Sequence, residues 1–78
     1  MMIKKNMLIV ETKTGLAQIN LKEVSALVTH AFLERLGDNE RVTYIDLHMN
    51  SGTIFTTEQL DENDIDAIES AWWDLNES

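Results

Sequence analysis

The 78-residue chain contains no cysteine, so neither a disulfide nor a thiolate zinc site can hold its fold together. Long apolar runs are also missing: residues 7–10 are apolar, but Glu11 follows at once. A signal peptide needs about 7–15 consecutive apolar residues, and a membrane span needs about 20. These absences predict a soluble protein that remains in the reducing cytoplasm and does not bind membranes.

Glycine-rich segments are absent as well, because Gly15, Gly37 and Gly52 stand alone at turn-like positions. A phosphate-binding loop needs closely spaced glycines directly before a helix. A cysteine nucleophile is lacking, and no serine stands in the glycine-flanked setting of a nucleophile elbow. We therefore expect no enzymatic activity, no catalytic residues and no cofactor.

Basic residues are missing from the last 21 positions, although the chain as a whole has six. Residues 58–78 hold eight acids and no base, so they carry the whole net charge of −8. Because the bases form no cluster, direct nucleic-acid binding is disfavoured. The acidic excess has two interpretations: a solvated helix face that aids solubility, or an electrostatic docking face for something basic.

What remains is the composition of one small globular domain over residues 1–78, with flexible ends at 1–6 and 76–78. Alternating apolar and β-branched residues predict strands at 7–13, 16–20, 42–49 and 53–56. Gly15 and Gly52 supply the turns between them. In the third of these strands Ile45, Leu47 and Met49 share one face.

The segment after residue 60 predicts an amphipathic helix. Asp61 is placed to cap its first turn and Asp64 to complete an acidic capping box. Leu60 and Ile65 flank this cap as a hydrophobic staple. The side chains expected to face the core are Ile65, Ile68, Trp72 and Leu75.

The middle segment, 21–36, has two interpretations. As a helix it is capped by Asn20 and stopped by Gly37, which gives a ββαββα fold. As a strand it places Val24, Ala26, Val28 and Phe32 on one face, with a turn at 37–40. Its predicted register then sets Phe32 opposite Ile45 and Val28 opposite Met49.

The order of these elements resembles short FlbD-like proteins of flagellar operons and small phage-encoded proteins of the same pattern. The matching residues are Gly15, Ile19, Asn20, Leu21, Val24, Leu27, the segment 42–49 and Gly52. The chain differs by a longer middle segment and a more acidic last helix. The resemblance implies an α+β fold, an antiparallel β-meander of about five strands packed by one C-terminal helix.

Candidate polar sites are few. In the predicted register His30 lies opposite Leu47 and His48 lies on the other face, so the two imidazoles do not converge. Tyr44, Asp46 and His48 share a strand face, which suits proton transfer or the solvated side of a sheet. The acids at 61–66 depart from the EF-hand pattern, and no metal site is expected.

A helical wheel places Glu62, Asp66, Glu69 and Trp73 in one narrow stripe, predicted to lie on the side opposite the sheet. We call these four residues the acidic stripe. Trp73 has two interpretations: it folds back over a sheet edge or frays near the terminus, or it is exposed among the acids, which is typical of a binding hot spot. We expect the acidic stripe to dock on a basic protein surface, which includes one that normally binds nucleic acid, as in phage inhibitors of host defence. The alternative is a self-associating adaptor of FlbD-like type, which allows a homodimer.

Overall fold

The computed structural model describes residues 1–33 and 41–77. Two three-stranded antiparallel sheets and one C-terminal helix build the fold, so the α+β prediction is confirmed. In chain order the elements are β1 (Met2–Lys4), β2 (Met7–Thr12), β3 (Gly15–Asn20), a 3-10 turn (Leu21–Glu23), β4 (Val24–Leu33), β5 (Arg41–Met49), β6 (Ile54–Thr56) and α1 (Glu62–Glu77).

The first sheet has the order β1-β2-β3 and contains a strand that the sequence analysis missed. About five strands were predicted, and none of them lay within residues 1–6. β1 pairs with β2 through a two-residue turn in which Lys5 adopts a φ of 57°. This left-handed conformation is unusual for a lysine, and no glycine marks the turn. The next turn joins β2 to β3 and ends at Gly15, the first residue of β3. The φ of Gly15 is 129°, which suits glycine alone.

The 3-10 turn Leu21–Glu23 leads the chain from the first sheet into the second. The Asn20 side chain accepts a hydrogen bond from the Lys22 backbone N–H at 3.0 Å, so the predicted capping residue does act as a cap. The helix that it was expected to start is not found, because residues 24–33 form β4. The strand interpretation of the middle segment is therefore confirmed for these residues, and the predicted turn at 37–40 lies outside the described residues.

The second sheet has the order β4-β5-β6, with a different β4–β5 register from the predicted one. Phe32 pairs with Val42 instead of Ile45, a displacement of three residues. An odd displacement exchanges the two faces of a strand. Val28 is consequently 40% exposed and faces away from the core. A bulge between Val24 and Ala26 allows Val24 to stay buried despite the change.

The two sheets are joined at a buried threonine. Thr57, directly after β6, forms an isolated bridge with Thr12 at the end of β2. Its hydroxyl accepts a hydrogen bond from the Ile45 N–H at 3.0 Å, and its own N–H donates to the Ile45 carbonyl at 3.0 Å. Because Thr57 is fully buried, these bonds satisfy groups that would otherwise be costly to desolvate.

Helix α1 begins and packs as the sequence predicts. The Asp64 N–H donates to the Asp61 side chain at 2.8 Å, which confirms the N-cap. Ile65 and Ile68 are buried in the core. Trp72 is half-buried, and its indole N–H donates to the Val24 carbonyl at 3.0 Å. None of the helices in the described residues is long and apolar enough to cross a membrane.

The contrast between the two adjacent tryptophans gives a stability prediction. Trp72→Phe removes the indole donor and leaves the Val24 carbonyl without it, so we expect a loss of about 1–2 kcal/mol in the free energy of unfolding. Trp73→Phe is the matched control, since Trp73 is 58% exposed and a surface change costs less than about 0.5 kcal/mol. Urea unfolding followed by circular dichroism measures both. Equal losses in the two variants would contradict the role given to Trp72.

Candidate functional site

The acidic stripe lies beside β4 and not on the far side of the helix. At 100° per residue, its four positions stand about a third of a turn from the buried side chains of α1. The Thr29 hydroxyl of β4 donates to the Glu69 carboxylate at 3.2 Å. The prediction that the stripe points opposite to the sheet is therefore wrong, and one acid of the stripe is held against the sheet.

Two depressions follow the seam between α1 and β4. Leu27, Glu69 and Trp73 contribute to the first. Thr29, Ala31, Glu62 and Asp66 contribute to the second. The Thr29–Glu69 hydrogen bond lies between the two. We call the two depressions together the α1–β4 groove, and all four residues of the acidic stripe line it.

Trp73 is the exposed aromatic residue of this groove. Its exposure is 58%, whereas the adjacent Trp72 is half-buried and bonded to Val24. Glu69 and Asp74 line the same depression as Trp73. An indole face beside carboxylates suits a lysine or arginine side chain, because the ring attracts the cation and the carboxylates neutralise it.

A second polar group lies on the opposite face of the β4–β5–β6 sheet. His30 pairs with Tyr44, and their rings stack with centroids 4.6 Å apart. His30 Nε2 lies 2.9 Å from Asp46 Oδ2. The prediction that His30 stands opposite Leu47, away from the face of His48, is wrong, because the three-residue displacement brings His30 onto the face of Asp46 and His48.

Asp46 is the centre of this second group. The Thr56 hydroxyl donates to Asp46 Oδ1 at 2.7 Å. That bond is the largest cause of a pKa of Asp46 below its usual 3.8. Burial opposes it as the second-largest effect, and the hydrogen bond from His30 and the charges of His30 and His48 lower the pKa further. Across the residues that the structure describes, no three His, Asp or Glu side chains converge to hold a metal ion. The hydrogen bonds from His30 and Thr56 to Asp46 link β4, β5 and β6.

The sequence predicts the side of the groove that α1 contributes, but not the side that β4 contributes. Leu27, Thr29 and Ala31 line the groove because they share the face of β4 that packs toward α1. The sequence contains no clear signal for this face. Both faces of β4 carry apolar residues, Leu27 and Ala31 on one and Ala26 and Val28 on the other, so periodicity could not choose between them.

The chain matches no protein family, no curated protein and no solved structure with which it was compared.

The lowered pKa of Asp46 predicts how stability depends on pH. A carboxyl whose pKa is lower in the folded state than in the unfolded state stabilises the fold above about pH 4, and this contribution disappears as the pH falls through the folded value. We expect Asp46→Asn to lower the free energy of unfolding by about 1 kcal/mol at pH 7. The difference from the wild-type protein should shrink as the pH falls below the usual carboxyl pKa of 3.8 and through the lower folded value. Urea unfolding across this range is the measurement.

Thr56→Val supplies the control for the cause of the shift. It removes the largest contribution, so the pKa of Asp46 in an NMR titration should rise toward 3.8. An unchanged pKa in this variant would show that Thr56 does not hold the carboxylate.

Proposed function

We propose that this protein is a non-enzymatic, acidic protein-binding module that docks the α1–β4 groove on a basic surface of a partner protein. The observation that carries the proposal is the exposed Trp73 in a groove lined by Glu62, Asp66 and Glu69. Such a surface combines an aromatic anchor with charges that select the partner.

The charge distribution of α1 is explained better by a binding role than by helix stability. Glu62 and Asp64 in the first turn interact favourably with the helix dipole, but the last turn contains no basic residue. Asp74 and Glu77 stand near the negative end of the dipole, where each acid costs a few tenths of a kcal/mol or more. Stability alone would favour bases there, so a requirement for uniform negative charge accounts better for the sequence.

The groove divides its contributions between the two kinds of side chain. Trp73 buries a large area at a small entropy cost, which supplies affinity. The carboxylates mainly raise the association rate and discriminate against acidic partners, and both effects weaken as salt screens the charges. If the partner normally binds nucleic acid, the carboxylates take the place of phosphates, and the protein acts as an inhibitor of the kind that phages direct at host defences.

The second candidate function is a self-associating structural or regulatory adaptor, in line with the FlbD-like resemblance. One observation favours it. In the described part of the chain β4 is hydrogen-bonded to β5 on one side only, so it is an edge strand on which a second copy can pair. The solution mass separates the two functions: a homodimer that persists at high salt and retains no basic partner indicates the adaptor.

The docking proposal predicts that removing two negative charges weakens partner binding inside the groove but not outside it. We expect Asp66→Asn with Glu69→Gln to weaken partner binding about tenfold at low salt. Glu11→Gln with Glu77→Gln changes the net charge equally outside the groove and should have little effect. Trp73→Ala should weaken binding at least about thirtyfold. Proteins retained from lysate at low salt are identified, one is purified, and its affinity for each variant is measured by calorimetry.

Two outcomes contradict the proposal. One is an equal loss in both double variants, which would show that only net charge matters. The other is a partner whose affinity for the wild-type protein does not change between low and high salt.

A further inference from the structure

Strand β4 is the longest edge in the described part of the fold, and it carries little of the protection usual for edges. It runs for ten residues, whereas β1 and β6 have three each and β3 has six. Proline and charged residues, lysine above all, commonly block edges against further pairing, and β4 contains no proline, lysine, arginine, aspartate or glutamate. Its bulge lies between Val24 and Ala26, and the pairing of β4 with β5 is continuous from Ala26 onward.

The hydrogen bonds of Ile45 show which groups of β4 point outward. Both the N–H and the carbonyl of Ile45 bond to Thr57, on the β6 side. Thr29 lies directly opposite Ile45, so the two form a non-hydrogen-bonded pair, and the N–H and carbonyl of Thr29 point to the open edge. Alternation along an antiparallel ladder gives Leu27 and Ala31 the same orientation.

The same three residues line the α1–β4 groove with their side chains, at successive positions along α1. Ala31 shares its depression with Glu62 and Asp66. Thr29 is bonded to Glu69. Leu27 shares its depression with Trp73. A strand added to β4 therefore meets an acid at two alternate positions and the indole at the third.

The spacing of the two elements is similar. Alternate residues of a strand lie about 6.6–6.8 Å apart, and the steps from Asp66 to Glu69 and from Glu69 to Trp73 advance about 4.5 and 6 Å along the helix axis. Residues directly opposite one another in a ladder point to the same face. Consequently, the residues of an added strand that pair with Ala31, Thr29 and Leu27 all point toward the acidic stripe.

We propose that β4 binds an extended basic segment of the partner as an added antiparallel strand, with lysine or arginine opposite Ala31 and Thr29 and an apolar side chain opposite Leu27, against Trp73. The inference rests on the proposed function and names its mode of recognition. Backbone hydrogen bonds at the edge supply affinity, and the groove selects the side chains at alternate positions.

Charge decides against a second copy of the chain as the occupant of this edge. Two β4 strands paired antiparallel would form one continuous sheet with both helices on the same face. The two acidic stripes would then face each other across the new pairing, with a net charge of −8 on each copy. Like charges placed together in an interface oppose association, whereas a basic segment neutralises the same groove.

The main comparison uses synthetic peptides with the unchanged protein, so it does not depend on the folding of a variant. The probe is the peptide Thr-Lys-Thr-Lys-Thr-Leu-Thr, blocked at both ends, whose two lysines and leucine occupy alternate positions. Its control, Thr-Lys-Lys-Thr-Thr-Leu-Thr, has the same composition and charge without the alternation. A third peptide is the probe with an N-methyl group on its second lysine, which removes the N–H that would donate to the Thr29 carbonyl.

We expect the probe to bind at least about tenfold more tightly than the rearranged control, as measured by tryptophan fluorescence. Methylation should weaken binding by about tenfold, the value of one or two backbone hydrogen bonds. Saturation with the probe should slow hydrogen exchange of the Leu27, Thr29 and Ala31 amides. Equal affinities for the probe and the methylated peptide, or unchanged exchange at these amides, would overturn strand addition.

The stripe variant Asp66→Asn with Glu69→Gln separates this failure from failure of the proposed function. If the variant loses peptide binding while methylation has no effect, the groove binds basic segments but strand addition is wrong. If none of the three peptides binds and partner capture is also independent of the stripe, both proposals are wrong.

Discussion

Burial of Ile65 and Ile68 sets the rotation of α1 about its own axis. Both side chains lie in the core with residues from both sheets, and the Trp72 indole adds a directional bond to Val24. Because a helix turns by a constant angle per residue, this packing also determines where every other side chain of α1 points. The acidic stripe comes to lie over the edge of β4, where helix and strand form one surface.

The register of β4 against β5 is the second determinant of that surface. It assigns Leu27 and Thr29 to the face that packs toward α1 and His30 to the face of Tyr44 and Asp46. The two faces then serve different purposes. One face contributes the Leu27 and Thr29 side chains to the α1–β4 groove, and the other is held by hydrogen bonds from His30 and Thr56 to the Asp46 carboxylate.

The acidic charge links stability to binding. Acids in the first turn of α1 favour the helix, and acids in its last turn oppose it, so the helix retains charge that folding does not need. A small domain has a narrow stability margin, and the buried apolar cluster and the Thr57 junction must offset this cost. In the proposed function, the same excess charge opposes pairing of two copies at β4 and attracts a basic partner.

The local features of the chain were determined by the sequence itself. Apolar, β-branched and aromatic runs predicted four strands, Gly15 and Gly52 marked turns, and Asp61 marked the start of α1, because each of these signals acts between residues close in the chain. β1 was not predicted, because its turn depends on a left-handed Lys5 and not on a glycine. The grouping of the acidic stripe also followed from helical periodicity, which places Trp73 off the apolar face, whereas its exposure was left open by the sequence.

Tertiary structure alone decided what lies next to the stripe. The apolar residues on both faces of β4 permit either face to turn inward, and only its bulge and its pairing with β5 select one. That selection brings Thr29 to Glu69 and His30 to Asp46. The sequence determined that the last helix is two-sided and acidic, and the long-range register determined that its charged side, together with an open strand edge, forms a groove.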